Sequence, residues 1–257
     1  MFTIKDKLGF SYNGKHSGDL GVISVSMGGG MFEEALVASR TVNDQFLNGN
    51  KYSLYSGVTK EPLSFELTLA FEKNYTDEQM DKLISWMYDV EYFLPMQFDG
   101  TDRILYCMPD GGSNIVHTGA KQGYVTIPMK TNSPFVFSPL STSTTTVGAD
   151  EITIELRGNK NPETKIEIDV KVSGSIDIVM NGVTVQINNL VKDETLTIYP
   201  DTEEIMSSVS NVYHYSDYVG DLTNLRIMKE ENTFKVTSRN GDTTSAVRVT
   251  YEPYYNK

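Results

Sequence analysis

Cysteine occurs once in this 257-residue chain, tryptophan once and histidine three times, and each scarcity excludes something. A single thiol, Cys107, has no partner for an internal disulfide. The fold must therefore be held by its core, and synthesis in a reducing compartment is the simplest expectation. Cys107 lies in the apolar run ILYCM and is expected to be a buried packing residue. His16, His117 and His214 are far apart, with no His-x-x-x-His or Cys-x-x-Cys spacing, which leaves zinc without a ligand set. No apolar run approaches the roughly 18 residues needed to cross a bilayer. The opening MFTIKDKLGFSYNG also lacks the apolar centre of a signal peptide. Membrane insertion is not expected. Basic side chains are short as well, 22 against 34 acidic ones, for a net charge of −12. That balance argues against gripping duplex nucleic acid, whose phosphates call for a basic surface. It does not prevent DNA from passing, because an acidic wall repels phosphate instead of holding it.

The motifs of common chemistries are missing too. There is no Gly-x-Ser-x-Gly elbow, and no glycine loop runs into Gly-Lys-Ser/Thr. The GGG at 28–30 reads as a strand break or loop in preference to a phosphate cradle. Glu33 and Glu34 would point to opposite faces of an extended chain, which is poor geometry for a glycosidase pair. Asp99 and Asp102 in FDGTD resemble half of a calcium loop, but the other ligands do not follow, so a solvated turn is expected. The expectation is a protein with no catalytic, cofactor-binding or metal-binding residues.

What is present is mostly β-pattern. GVISVSM (21–27) alternates, with Ile23, Val25 and Met27 on one side, and LSFELTLAF (63–71) puts Leu63, Phe65, Leu67, Leu69 and Phe71 on one face. One helix interrupts this. In TDEQMDKLISWMYD, Thr76 and Gln79 form a capping box, and Asp77 and Glu78 suit the helix N-terminus. Met80, Leu83, Ile84 and Met87 recur at helical spacing, with Trp86 and Val90 widening the stripe. Pro95 lies beyond the end, so the helix should stop near Asp89. Trp86, with Leu83 and Met87, is expected to anchor a core; sugar stacking by Trp86 is the weaker reading. RILYCMP and GYVTIPMK continue as strands.

At SPFVFSPLSTSTTTVGADE the pattern changes, since STSTTT has no apolar residue at all. This marks residues 139–147 as a linker between a domain at 1–138 and one at 148–257. Beyond it, ITIELRG, TKIEIDVKV, SIDIVM, VTVQI, TLTIYP, LRIM, TFKVTS and AVRVTYE read as short strands divided by NG, NN, KDE and RNGD turns. That rhythm predicts a β-sandwich. The late aromatics Tyr251, Tyr254 and Tyr255 either finish a strand or line a glycan groove.

Several of these stretches, taken in order, carry a resemblance. FSYNGKHSGDLGV (10–22), KEPLSFELTLAF (60–71), ISWMYD (84–89), YFLPMQFDG and GYVTIPMKTNSPFVFSP (123–139) resemble the N-terminal domain of siphophage distal tail proteins. SGSIDIVMNG, INNLVKDETLTIYPDTEEI and TFKVTS are similar to that family's C-terminal galectin-like sandwich. One departure is LRIMKEENTF, which has no glycine where many relatives carry a Gly-Asn turn. The resemblance spans nearly the whole chain. It implies a mainly β fold, with a ring-forming N-terminal domain covered by one helix and a galectin-like β-sandwich after it. It also implies a non-enzymatic structural role in the virion.

On that reading the protein is made in the host bacterial cytoplasm. It would form a homo-hexameric ring, single or stacked, as the baseplate hub at the tail tip. The ring would join the tail tube protein to the tail-associated tip protein and the receptor-binding apparatus, with DNA passing through the lumen unbound. The competing reading is a carbohydrate-binding adhesin module, since a galectin-like sandwich is a common glycan scaffold, although fold alone does not establish that activity.

Overall fold

The computed structural model describes residues 7–25, 38–229 and 231–256. The GGG at 28–30, the Glu33-Glu34 pair and Met27 lie outside them. The chain divides into two compact units, which meet in sequence between Phe137 and Ser138.

In the first unit the described strands along the main sheet pair antiparallel. Following hydrogen-bonded neighbours, the sheet runs Lys7–Leu8, Val22–Val25, Ser64–Phe71, Gly123–Thr131, Ile104–Pro109, Leu94–Phe98, Phe10–Tyr12 and Lys15–His16. Asn114–His117 flanks the fourth of these strands and Phe135–Phe137 the fifth. The spine is the pairing of Ser64–Phe71 with Gly123–Thr131, from Lys130 opposite Ser64 to Tyr124 opposite Ala70. Period-two alternation decides its faces: Leu67, Leu69, Val125, Ile127 and Met129 are all buried in one core. Phe65 and Phe71 pack against that core partly buried. The Asn13-Gly14 turn has positive φ at both residues (50° and 69°), the requirement of a tight hairpin turn that Asn-Gly meets at little cost. It returns the chain from Phe10–Tyr12 into Lys15–His16.

The helix spans Asp77–Tyr88, with Thr76 at its N-cap, Asp89 at its C-cap and both bonds of the capping box present. Among the described residues no helix is long and apolar enough to cross a membrane.

The second unit is a sandwich of two five-stranded antiparallel sheets. One runs Ser141–Thr146, Ala246–Tyr251, Thr164–Asp169, Thr195–Tyr199, Glu204–Ser207; the other runs Ile152–Ile154, Asn232–Ser238, Gly174–Met180, Val183–Leu190, Tyr218–Val219. Their inward residues, among them Ile166, Ile168, Ile178, Ile187, Leu196, Ile198, Phe234 and Val249, share one core.

Three expectations are corrected here. Ser141–Thr146, read as part of a 139–147 linker, is a strand at a sheet edge, in register from Ser141 opposite Tyr251 to Thr146 opposite Ala246. An edge strand needs backbone pairing and a β-tolerant side chain, and Thr and Ser supply both with no apolar residue. LRIM, read as a strand, ends a short 3-10 turn at Leu222–Leu225 and then passes into the core as an irregular segment. Its backbone is satisfied by side chains: Ile227 N donates to Thr164 Oγ1 (3.0 Å) and Met228 N to Asn232 Oδ1 (2.8 Å). ITIELRG is a strand only over Ile152–Ile154.

Candidate assembly surface

The three histidines each make a contact within the chain. His16 accepts a hydrogen bond at Nδ1 from Gly18 N (3.1 Å), so the proton resides on Nε2, which donates to the Asp99 carboxylate at 3.1 and 3.2 Å. Asp99 N in turn donates to Gly9 O (2.9 Å). The FDGTD turn and the GKHSG step, 83 residues apart, are thereby clasped. His214 is buried in the second unit, with Nε2 3.0 Å from Glu194 and Nδ1 3.3 Å from Asp217. Glu194 also accepts from Val191 N (2.6 Å) and Ser207 Oγ (2.5 Å), so this cluster pins loops at one end of the sandwich. His117 lies on an exposed hairpin and contacts Thr118 O. Among the described residues no group of three or more His, Cys, Asp or Glu side chains could hold a metal ion.

Leu83, Trp86 and Met87 are buried on the inner side of the helix. The Trp86 ring stacks on Phe10 (centroids 5.6 Å apart, 16° between planes) and meets Tyr12 edge-on at 6.0 Å. Its Nε1 donates to Tyr12 O (2.9 Å). Tyr12 OH passes the chain onward to Cys107 O (3.3 Å). Burial, with a smaller contribution from Cys107, pushes the Tyr12 phenol well above its ordinary range. Burial also pushes the Cys107 thiol up to about 12. Both groups are therefore neutral packing elements. Ile84, counted in the apolar stripe, is 49% exposed. Tyr251, a candidate for a glycan groove, is instead buried in the sandwich core, its OH donating to Glu155 O (2.6 Å).

A different surface stands out. Arg40–Gln45 and Leu54–Lys60 pair with each other and, among the described residues, with no further strand. A register shift between Asn43 and Asp44, beside Gly57 at φ 141°, bends the ribbon as a bulge does. Its base is tied down: Glu61 N donates to Ser39 O (3.0 Å), and Lys60 Nζ lies 5.0 Å over the Phe135 ring. Beyond the base the ribbon is exposed and carries several large apolar side chains among polar ones. Tyr52 is 81% exposed, Phe46 70% and Tyr55 68%, with Val42, Leu54 and Val58 alongside. A lone two-stranded ribbon is marginal in water, and large apolar side chains left exposed on it suit an interaction surface. The sequence reading passed over this ribbon. A partial signal was there: FLNGNKY holds an Asn-Gly step, but it lies within the longer connection at 46–53 between Gln45 and Leu54 and not in a two-residue hairpin turn.

Comparison with known proteins places this geometry. A family model described as phage tail protein N-terminal domain matches residues 5–133. The SPbeta prophage-derived protein YomH of Bacillus subtilis (strain 168) is 25% identical over 227 residues, which cover 85% of this chain and 88% of that one. The crystal structure of the SPP1 Dit (gp 19.1) protein, described as a paradigm of the hub adsorption apparatus in phages infecting Gram-positive bacteria, superposes with a TM-score of 0.66. That match is 12% identical and covers 95% of this chain and 98% of the other. The likeness is one of fold, and it extends over both units. The chain belongs to the phage tail proteins that share this N-terminal domain, and its described residues have a mainly β fold, with one α-helix, similar to that of the SPP1 Dit protein.

Proposed function

We propose that this protein is a structural, non-enzymatic hub of a phage tail tip, acting in the virion after synthesis in the host cytoplasm. Its first unit closes with five further copies into a hexameric ring. The ring joins the tail tube to the tip and receptor-binding proteins, and the genome slides through its lumen without being held. The observation that carries this reading is the ribbon of residues 40–60, with its exposed apolar side chains, on a Dit-like fold. A cyclic ring needs each subunit to offer two different complementary surfaces. A projecting ribbon that cannot bury its own aromatics is suited to be one of them. The family membership and the net charge of −12 support the same role, the charge because it disfavours DNA retention.

The test is light scattering over a concentration series, with and without the adjacent tail proteins, followed by negative-stain imaging. Six-fold rings with a lumen of about 40 Å, roughly twice the width of a duplex, are expected. Phe46→Ser with Tyr52→Ser should abolish them while leaving the melt unchanged. A chain that stays monomeric beside its tail neighbours yet binds host glycans on an array would overturn the proposal in favour of an adhesin.

A further inference from the structure

The strand Ser141–Thr146 lies at one end of its sheet and is bonded on one side only, to Ala246–Tyr251. Natural sheets blunt such edges with charges, proline, bulges or a covering loop. This strand has none of the first three: it reads STSTTT and runs through an unbroken six-residue register. Among the described residues no other hydrogen bond is made by its strand-edge backbone beyond the turn that Thr146 O accepts from Ala149 N (3.1 Å). Leu140, directly before it, is 67% exposed. An uncharged edge with a row of free N–H and C=O groups is a template for another strand.

We infer that this edge pairs antiparallel with the same edge of a second copy, about a two-fold axis at Ser143. Two features select a second copy as the occupant. About this axis only a charge at 143 would face itself, and like charges at 142 and 144 or at 141 and 145 would oppose one another at a cost; STSTTT carries no charge, so the strand meets its own copy without repulsion. Side chains opposite each other must also point to the same face. Centring on Ser143 satisfies this over the whole strand: Thr142 meets Thr144 of the second copy, Ser141 meets Thr145, and the exposed Leu140 covers Thr146. Threonine pairs are favourable across strands. The contact is isologous, whereas a ring contact joins two unlike surfaces. It therefore lies outside the ring interface. In a ring-forming protein it links subunits of two different rings, and it stands or falls independently of the ribbon at 40–60.

The register makes this testable in the full chain. Ser143→Cys should give a disulfide-linked dimer under mild oxidation, because directly opposed residues bring Cα atoms to about 4.5–5.5 Å, within disulfide reach. Ser141→Cys should give none, since its own counterpart lies about 13 Å further along the ladder. The native Cys107 is buried and does not compete. Thr142→Lys with Thr144→Lys sets lysine against lysine twice and should weaken dimerisation about tenfold. Thr142→Lys with Thr144→Glu sets lysine against glutamate twice and should restore it. All four substituted side chains sit on a strand edge, so the melting curve serves as the control for folding. No Ser143→Cys dimer, equal cross-linking at both cysteine positions, or lysine and mixed-charge variants that behave alike would overturn the inference. So would a Thr142/Thr144 effect seen only in binding to another tail protein, since that identifies a foreign strand as the occupant. The Phe46→Ser, Tyr52→Ser protein should still cross-link through Ser143→Cys.

Discussion

Replacing Trp86 by alanine would remove the joint at which the helix meets the first strands. The side chain is 4% exposed and contacts the Phe10 and Tyr12 rings, so truncation leaves a cavity and costs about 3–5 kcal/mol on that account. The hydrogen bond to Tyr12 O goes with it, leaving a buried carbonyl without this donor. Losses of that kind run to about 1–3 kcal/mol, so the total should fall at the upper end of the cavity range. Trp86→Phe separates the two effects: it keeps the stacking on Phe10 and most of the volume but has no N–H, and should cost about 1–2 kcal/mol. Trp86 is the single tryptophan, so its fluorescence in a urea titration follows the first unit without interference, and native emission should be blue-shifted. Circular dichroism and calorimetry follow the two variants. An alanine variant within about 1 kcal/mol of the parent, or a phenylalanine variant as damaged as the alanine one, would refute the anchoring role.

Limited digestion with a protease of broad specificity, such as proteinase K, should nick the ribbon near the exposed Lys51 before it cuts anywhere in Ser141–Thr146, because exposed tips are cleaved ahead of paired strands; fragment masses decide. Gly9→Ala should destabilise the first unit by about 1–3 kcal/mol, since a Cβ there would collide with Asp99 Oδ2 and come within 2.9 Å of His16 Nε2. Most of that loss should vanish in an Asp99→Ala background, as a double-mutant cycle by urea unfolding would reveal. Cys107 should resist thiol reagents at pH 8 until the protein unfolds. Its pKa is raised from 9.0 to about 12, so between those values the unfolded chain binds fewer protons than the native one, and stability should fall as pH rises through that window. EDTA, zinc or calcium should leave the melting temperature within about 1 °C.

The helix was the most legible element because its signals are local: Thr76 and Gln79 cap it, and Leu83 and Met87 are four apart. Ile84 was misjudged because Trp86 is large enough to turn the buried face toward itself. At about 100° per residue, Ile84 then sits roughly 100° from the centre of the face defined by Leu83, Trp86 and Met87. Ser141–Thr146 was missed for the opposite reason. An edge strand is specified by what it pairs with, Ala246–Tyr251, about a hundred residues away, and its own composition says only that it tolerates β geometry. The His16–Asp99 clasp was likewise beyond local pattern, since its two halves are joined by sheet topology alone. The ribbon at 40–60 carried an Asn-Gly cue, but its meaning lies in its exposure, which no periodicity reports.

The strand order of the first unit also has a kinetic side. Phe10–Tyr12 is made early, yet its neighbour on one side is Leu94–Phe98, with Tyr12 opposite Met96. At roughly 5–20 residues per second of synthesis, the early strand waits on the order of 5–15 s before its partner exists. In that interval only the Asn13-Gly14 hairpin can form locally, and Phe10 and Tyr12, destined for complete burial, face water or a chaperone. Non-local pairing of this kind slows folding and lengthens exposure. Within the first unit, the helix cannot dock until these two rings are in place, so the tryptophan signal should be among the last to reach its native value during refolding.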